Sequence, residues 1–308
     1  MSASGPLVSV VIPCFDSADT LPRALASLAA QTLDDWECIV VDDGSTNDPR
    51  GSVERFDDPR VRLDRFETNR GRGAARQRAL DLARGRYLCM LDADDWYFPD
   101  KLAVQVERME SEPDLRVLSG SMAIVDEGHR LDGMRPRATP DGRHRVFDRL
   151  ACPPVPHAPS MVVLDHARRH RYDETLTRSQ DTDWMLRVLR GGGYAVVPDA
   201  VYAYCETPPA FGRKIGLSTL CTMRLFWKHR RRQPLASVTR VAHTAAKGGV
   251  YALLLALGLE RRIAARKSRR PTENDGRRYD AARRAVDRVV AERFGDTVER
   301  ADRLLAAN

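Results

Sequence analysis

Between Tyr87 and Trp96 the chain reads Tyr-Leu-Cys-Met-Leu-Asp-Ala-Asp-Asp-Trp, an apolar run that ends in three carboxylates within four positions. That pattern predicts a buried strand whose C-terminal tip releases acidic side chains into solvent. Strand tips are where open α/β sheets bind their ligands. Asp92 and Asp94 stand two apart, so past the end of the strand both can turn toward one hard cation. Oxygen-only ligands favour magnesium or manganese over zinc. An acidic loop or the first turn of a helix would look the same in isolation, because Asp is common at both. The neighbouring segments have to decide.

Leu7 to Pro13 is a short β-branched run closed by proline, the pattern of a buried parallel strand. A helix begins near Ala18 to Pro22 and carries Leu21, Leu25 and Leu28 at helical spacing to Thr32. Trp36 to Val41 reads as a second strand and ends in Asp42-Asp43-Gly44-Ser45-Thr46-Asn47-Asp48, again with acids at the tip. Val61 to Phe66 is a third strand. The loop Asn69-Arg70-Gly71-Arg72-Gly73 then leads into an alanine-rich helix, which Gly85 is placed to stop before the central strand. This β-α-β-β-α-β order predicts a Rossmann-like, mostly parallel sheet with a nucleotide-sized crevice along its strand tips.

Further on, a helix is expected from Pro99 to Met109, a strand over Val117 to Val125, and a loop-rich stretch from Gly128 to Asp148. The proline-rich segment Ala151 to Ser160 is an irregular loop before a strand at Met161 to Leu164. Ser179 to Leu189 reads as a helix broken by Gly191-Gly192-Gly193, and Ala195 to Pro198 and Ala200 to Tyr204 as closing strands. From about Phe211 the chain turns helical and basic. The expected division is an α/β domain over residues 1–210 and a helical extension over 211–308.

The 308 residues suffice for one full α/β core, and the formal net charge of +7 with a pI near 9.3 suggests an anionic partner. Six dispersed cysteines without a Cys-x-x-Cys pair predict reduced thiols in a cytoplasmic protein. Met1 to Leu7 has neither a basic start nor an apolar signal core, so no export signal is expected.

Together these segments resemble glycosyltransferase family 2, the inverting nucleotide-sugar transferases of the GT-A fold, over roughly Leu7 to Tyr204. The resemblance rests on Val10 to Asp16, Val41 to Asp48, Asn69 to Arg76, Leu91 to Asp95, and Gln180-Asp181 ahead of a helix with Arg187. It implies transfer of one sugar from a nucleotide-diphosphate sugar, UDP-linked by preference, to a hydroxyl acceptor, free or lipid-linked. Asp43 would accept the ring N–H of a pyrimidine, or simply shape the turn before Gly44. Pro13 and Phe15 would line the base pocket. Arg76, and less directly Arg72, would face the diphosphate. Asp92 would meet the ribose or the metal shell, Asp94 would ligate Mn2+ or Mg2+, and Asp95 would position a sugar hydroxyl or else cap the turn before Trp96.

Asp181 would be the general base, with Asp183 its rival, read equally as an acidic first-turn residue. The family has Glu-Asp where this chain has Gln180-Asp181, and Tyr204-Cys205-Glu206 stands where many relatives have His or Arg. The Gln-x-x-Arg-Trp signature of processive synthases is absent. Cys152 to Ser160, with His157, and the loop Glu206 to Arg213 are the expected acceptor side. Two rivals are a nucleotidyltransferase, which lacks its basic Gly-rich loop here, and an inactive nucleotide-sugar-binding scaffold.

In the extension, Lys228 to Arg232 and Arg261 to Arg270 flank the segment Val241 to Leu259, whose apolar end at Val250 to Leu257 is too short to span a bilayer. It reads either as a helix lying on an anionic membrane or as one packed on the domain. Nucleic acid is not expected, since aromatic interleaving is missing. Asp280 to Leu305 reads as a charged helix suited to self-association.

Overall fold

The computed structural model describes residues 5–135, 145–206, 211–257 and 268–305. Strand β1 (Val8–Cys14) lies between β2 (Trp36–Asp42) and β4 (Tyr87–Met90), with β3 (Val61–Arg65) outside β2, all parallel. Their β-branched runs are buried on both faces because α1 (Leu21–Ala29) and α3 (Arg72–Leu82) cover opposite sides. This half is the parallel sheet that the alternating pattern predicts.

The other half is mixed. Beyond β4 the sheet continues through β9 (Met161–Val163), β6 (Leu115–Val125), β10 (Gly193–Cys205) and β5 (Trp96–Tyr97), and β9 and β5 run antiparallel to their neighbours. Strand β7 (Leu131–Arg135) pairs with β6, and β8 (Arg145–Val146) pairs with β10. The two expected closing strands are one, β10, whose register slips between Val197 and Tyr202. Pro198 lies within the slip and cannot donate to the ladder. A short helix missing from the sequence reading, α2 (Arg50–Phe56), follows Pro49 and buries only Phe56. Gly85 does not end α3 by a left-handed turn. Its backbone lies against β1, where an added Cβ would meet Ser9 N at 2.6 Å.

Among the described residues the remaining helices are α4 (Lys101–Ser111), α5 (Leu164–Ala167), α6 (Gln180–Val188), α7 (Phe211–Lys228), α8 (Pro234–Ala256) and α9 (Glu273–Leu305), with a 3₁₀ turn at His229–Arg231. The last helix, expected to suit self-association, packs one face on the chain itself. The buried stripe Tyr279, Ala282, Val286, Val290 and Phe294 joins the same core as β1 and α1. Phe294 stacks on Phe56 with centroids 6.1 Å apart, and Arg23 meets Asp287 at 2.6 Å. The apolar face of α9 is therefore covered within the chain. A boundary at residue 211 separates helices in sequence but not in the core.

Candidate active site

Parallel pairing brings the ends of β1, β2 and β4 to one edge, and the backbone there is laced together. Asp43 N donates to Cys14 O at 2.8 Å and Leu91 N to Val11 O at 3.0 Å. Asp16 N donates to Ser45 Oγ at 2.9 Å, while its carboxylate receives Thr46 N at 2.7 Å. Gly44 has φ +73° and passes under the next loop so closely that a Cβ would meet Thr68 C and Asn69 N at 2.7 Å. Only glycine fits that crossing.

Asp43 stands at this edge, but it is 2% exposed, and its two oxygens receive Arg70 N at 2.7 Å and Gly71 N at 2.9 Å. Its visible work is to hold the loop that opens α3. Phe15 is 45% exposed beside it, and Pro13 is half-buried on β1. Arg72 projects into solvent from the start of α3.

Arg76, one turn further, is buried, and its Nη2 meets Asp92 Oδ1 at 3.1 Å. Burial opposes its charge, but Asp92 and Asp181 outweigh that and raise its pKa. Its Nε–H is buried without an acceptor among the described residues. One guanidinium thus ties the tip of β4 electrostatically to the first turn of α6. For Asp181 burial pushes the pKa up, yet Arg76 above all, with the Thr182 N–H, brings it below the usual carboxylate range. Asp181 is therefore ionised at neutral pH.

His157, expected among acceptor-side loop residues, is buried behind Asp181. Its Nε2 lies 2.7 Å from Tyr172 Oη and its ring meets Trp184 edge-on. Burial, reinforced by Arg76, lowers its pKa to about 4, so it is the neutral imidazole at pH 7. Asp183 faces the other way. It is fully buried and binds Arg187 at 2.7 Å and Lys228 at 3.1 Å, with His229 Nε2 3.4 Å away. The rival acid is thus a tether between α6 and the end of α7.

Asp95 is turned inward. It is 1% exposed, and its oxygens accept Tyr202 Oη at 2.6 Å and Cys205 N at 2.7 Å. Burial, together with Asp94 and Asp92, raises its pKa well above the ordinary value. Asp95 fastens the tip of β4 to β10 across the β5 pairing. Tyr202, which the sequence reading missed, also receives Asp92 N at 3.2 Å. Its only signal was a tyrosine in an apolar strand.

Asp94 is exposed on the wall of an open cleft of about 740 Å³. Cys152 and Glu206, from the two segments expected on the acceptor side, line it together with Tyr204, and α7 and α8 supply much of the rest, including Arg240, His243 and Lys247. Residues 207–210 of the expected loop Glu206 to Arg213 lie outside the described residues. No group of three or more His, Cys, Asp or Glu arranged for a metal occurs among the described residues. Two tip carboxylates, one shared with Arg76, suit a hard cation that takes its other ligands from a diphosphate, the usual manner of magnesium.

A three-layer sheet of this topology, with acids at the tips of β2 and β4 and another at the start of α6, defines a GT-A type domain. The profile described as Glycosyl transferase family 2 matches residues 9–159. Succinoglycan biosynthesis protein ExoO of Rhizobium meliloti is 32% identical over 236 residues, 71% of this chain and 66% of its own length. The Escherichia coli UDP-Glc:alpha-D-GlcNAc-diphosphoundecaprenol beta-1,3-glucosyltransferase WfgD is 36% identical over 103 residues, 33% of this chain and 41% of its own. S. aureus TarS 1-349 in complex with UDP-GlcNAc superposes with a TM-score of 0.61 at 18% identity, covering 78% of this chain and 71% of that one. The chain belongs to glycosyltransferase family 2. It spans just under two thirds of the length of ExoO.

Proposed function

We propose that the chain is an inverting glycosyltransferase that moves one sugar from a UDP-sugar to a hydroxyl acceptor in bacterial polysaccharide or glycolipid synthesis. The observation that carries this is the buried Arg76 joining Asp92 to Asp181. It couples two carboxylates through one buried guanidinium, which supports reading Asp92 as the donor-side carboxylate, Arg76 as the phosphate-binding cation and Asp181 as the base.

In this reading the uracil lies against Phe15 and Pro13. Its ring N–H uses the carboxylate capacity left to Asp43 after the Arg70 and Gly71 amides. Arg76 Nε–H turns to a diphosphate oxygen while Asp92 holds the guanidinium in place and faces the ribose. Asp94, with Asp92, would hold Mn2+ or Mg2+. Such a cation offsets charge on the departing diphosphate. Asp181 takes the proton of the acceptor hydroxyl as its oxygen bonds to the anomeric carbon, and the bonding pair of the breaking C–O bond leaves on the β-phosphate of UDP. One displacement with one base inverts the anomeric centre.

The cationic side chains across the cleft from Asp94 favour an acceptor that carries phosphate, such as a sugar on a lipid diphosphate. Four of the six cysteines are buried, all are free, and no described helix is long and apolar enough to cross a membrane.

The test is Asp181→Asn with UDP-sugar donors. Turnover should fall by about 10²-fold or more while UDP binding stays near wild type. Full activity in the variant, or a product of retained configuration, would refute the mechanism.

A further inference from the structure

The outer side of the α7–α8 pair has no protein partner among the described residues. On α8, Leu235, Val238, Ala242, Val250, Leu253 and Leu257 are all exposed, Leu235 by 82% and Leu253 by 60%. With Ala246 between, they recur three or four apart, which sets them on one face over about 33 Å of helix. The opposite side closes on α7, where Gly248 approaches so tightly that a Cβ would meet Thr219 Cγ2 at 2.6 Å. Helix α7 adds exposed Leu217, Leu220 and Trp227, with Arg230 lying over the Trp227 ring at 5.1 Å.

Charge selects the occupant. Residues 211–270 hold fifteen Lys and Arg against one acid, Glu260, while the whole chain is only +7, so the remainder is net acidic. A second copy seated on this face would bring two such basic segments together. An anionic bilayer matches both the long apolar stripe and the cations beside it.

We propose that the α7–α8 pair docks the protein on an anionic lipid surface, with the apolar face of α8 in the headgroup boundary. Arg240, His243 and Lys247 occupy the flank of α8 next to that face and line the cleft. Docking therefore sets the cleft mouth at headgroup level. The docking stands on surface chemistry alone, and only its use in delivering a lipid-linked acceptor rests on the transfer reading.

The test is sedimentation of the full chain with phosphatidylcholine vesicles, with and without phosphatidylglycerol. Binding should be roughly tenfold or more tighter to the anionic vesicles and should weaken with salt. Val238→Asp combined with Leu253→Asp should lose that binding, while UDP-sugar hydrolysis without vesicles is unchanged. That hydrolysis reports the transfer reading separately, so either can fail alone. Equal vesicle binding by the double variant, or no preference for anionic lipid, would overturn the proposal. So would a wild-type dimer in light scattering that the double variant abolishes, since a second copy would then cover the face.

Discussion

Asp181 and Asp183 are two residues apart on the first turn of α6, and the variants Asp181→Asn and Asp183→Asn should separate chemistry from architecture. Asp183 is fully buried, and its Oδ2 receives both Arg187 and Lys228. Stripping a buried pair of one charge costs about 3–5 kcal/mol. Here Arg187 and Lys228 are 21% and 41% exposed at the side chain and can rehydrate. The loss should therefore be about 2–3 kcal/mol, close to two charge-assisted hydrogen bonds discounted for solvent. At about 2–4 °C per kcal/mol this lowers Tm by roughly 5–10 °C in calorimetry at pH 7. Burial alone would raise the Asp183 pKa, but His229, Arg187 and Lys228 hold it well below the usual range. A depressed folded pKa gives stability that is complete above the unfolded value, near 4, and is lost as pH falls. The Tm gap between wild type and Asp183→Asn should thus persist down to about pH 4 and narrow below it. Asp181→Asn, whose carboxylate is also held down by Arg76, should lower Tm by less than Asp183→Asn while cutting turnover by about 10²-fold or more. A stable, inactive Asp183→Asn beside an unstable, active Asp181→Asn would refute both assignments.

Asp94→Ala should abolish manganese-dependent UDP binding, measured by titration calorimetry, with the fold intact, because Asp94 is exposed at a strand tip. Asp95→Asn should keep the donor KM, since that side chain contacts Tyr202 and Cys205 instead. Arg76→Met should weaken UDP-sugar binding by about tenfold or more and raise the acid limb of the pH–rate profile, because Asp181 loses the cation that lowers its pKa. An unmoved acid limb would separate Arg76 from the base.

The strand tips were legible because β-branched runs ending in acids leave few other readings, and Asp43, Arg76, Asp92 and Asp94 all come to one edge. The fate of individual acids was not legible. Asp95 is drawn inward by Tyr202 and Asp183 by Lys228, partners far away in sequence with no local mark. The last helix teaches the same point. Its stripe is visible in the sequence, but a stripe does not say whose surface it covers. Tyr279 answers for α9. It is 1% exposed, lies 5.6 Å from the Trp96 ring and 6.2 Å from that of Phe98, and donates its hydroxyl to His129 O at 2.7 Å. Trp96 directly follows Asp95 and pairs with Ala203, so α9 braces the β5–β10 junction beside the acidic tip of β4. Tyr279→Ala removes an aromatic from that packed site and should cost about 3–4 kcal/mol in denaturant unfolding, in line with other large-to-small core changes. The loss should come with an unchanged mass in solution. A variant that keeps its stability but changes its oligomeric state would mean that the stripe serves another copy after all.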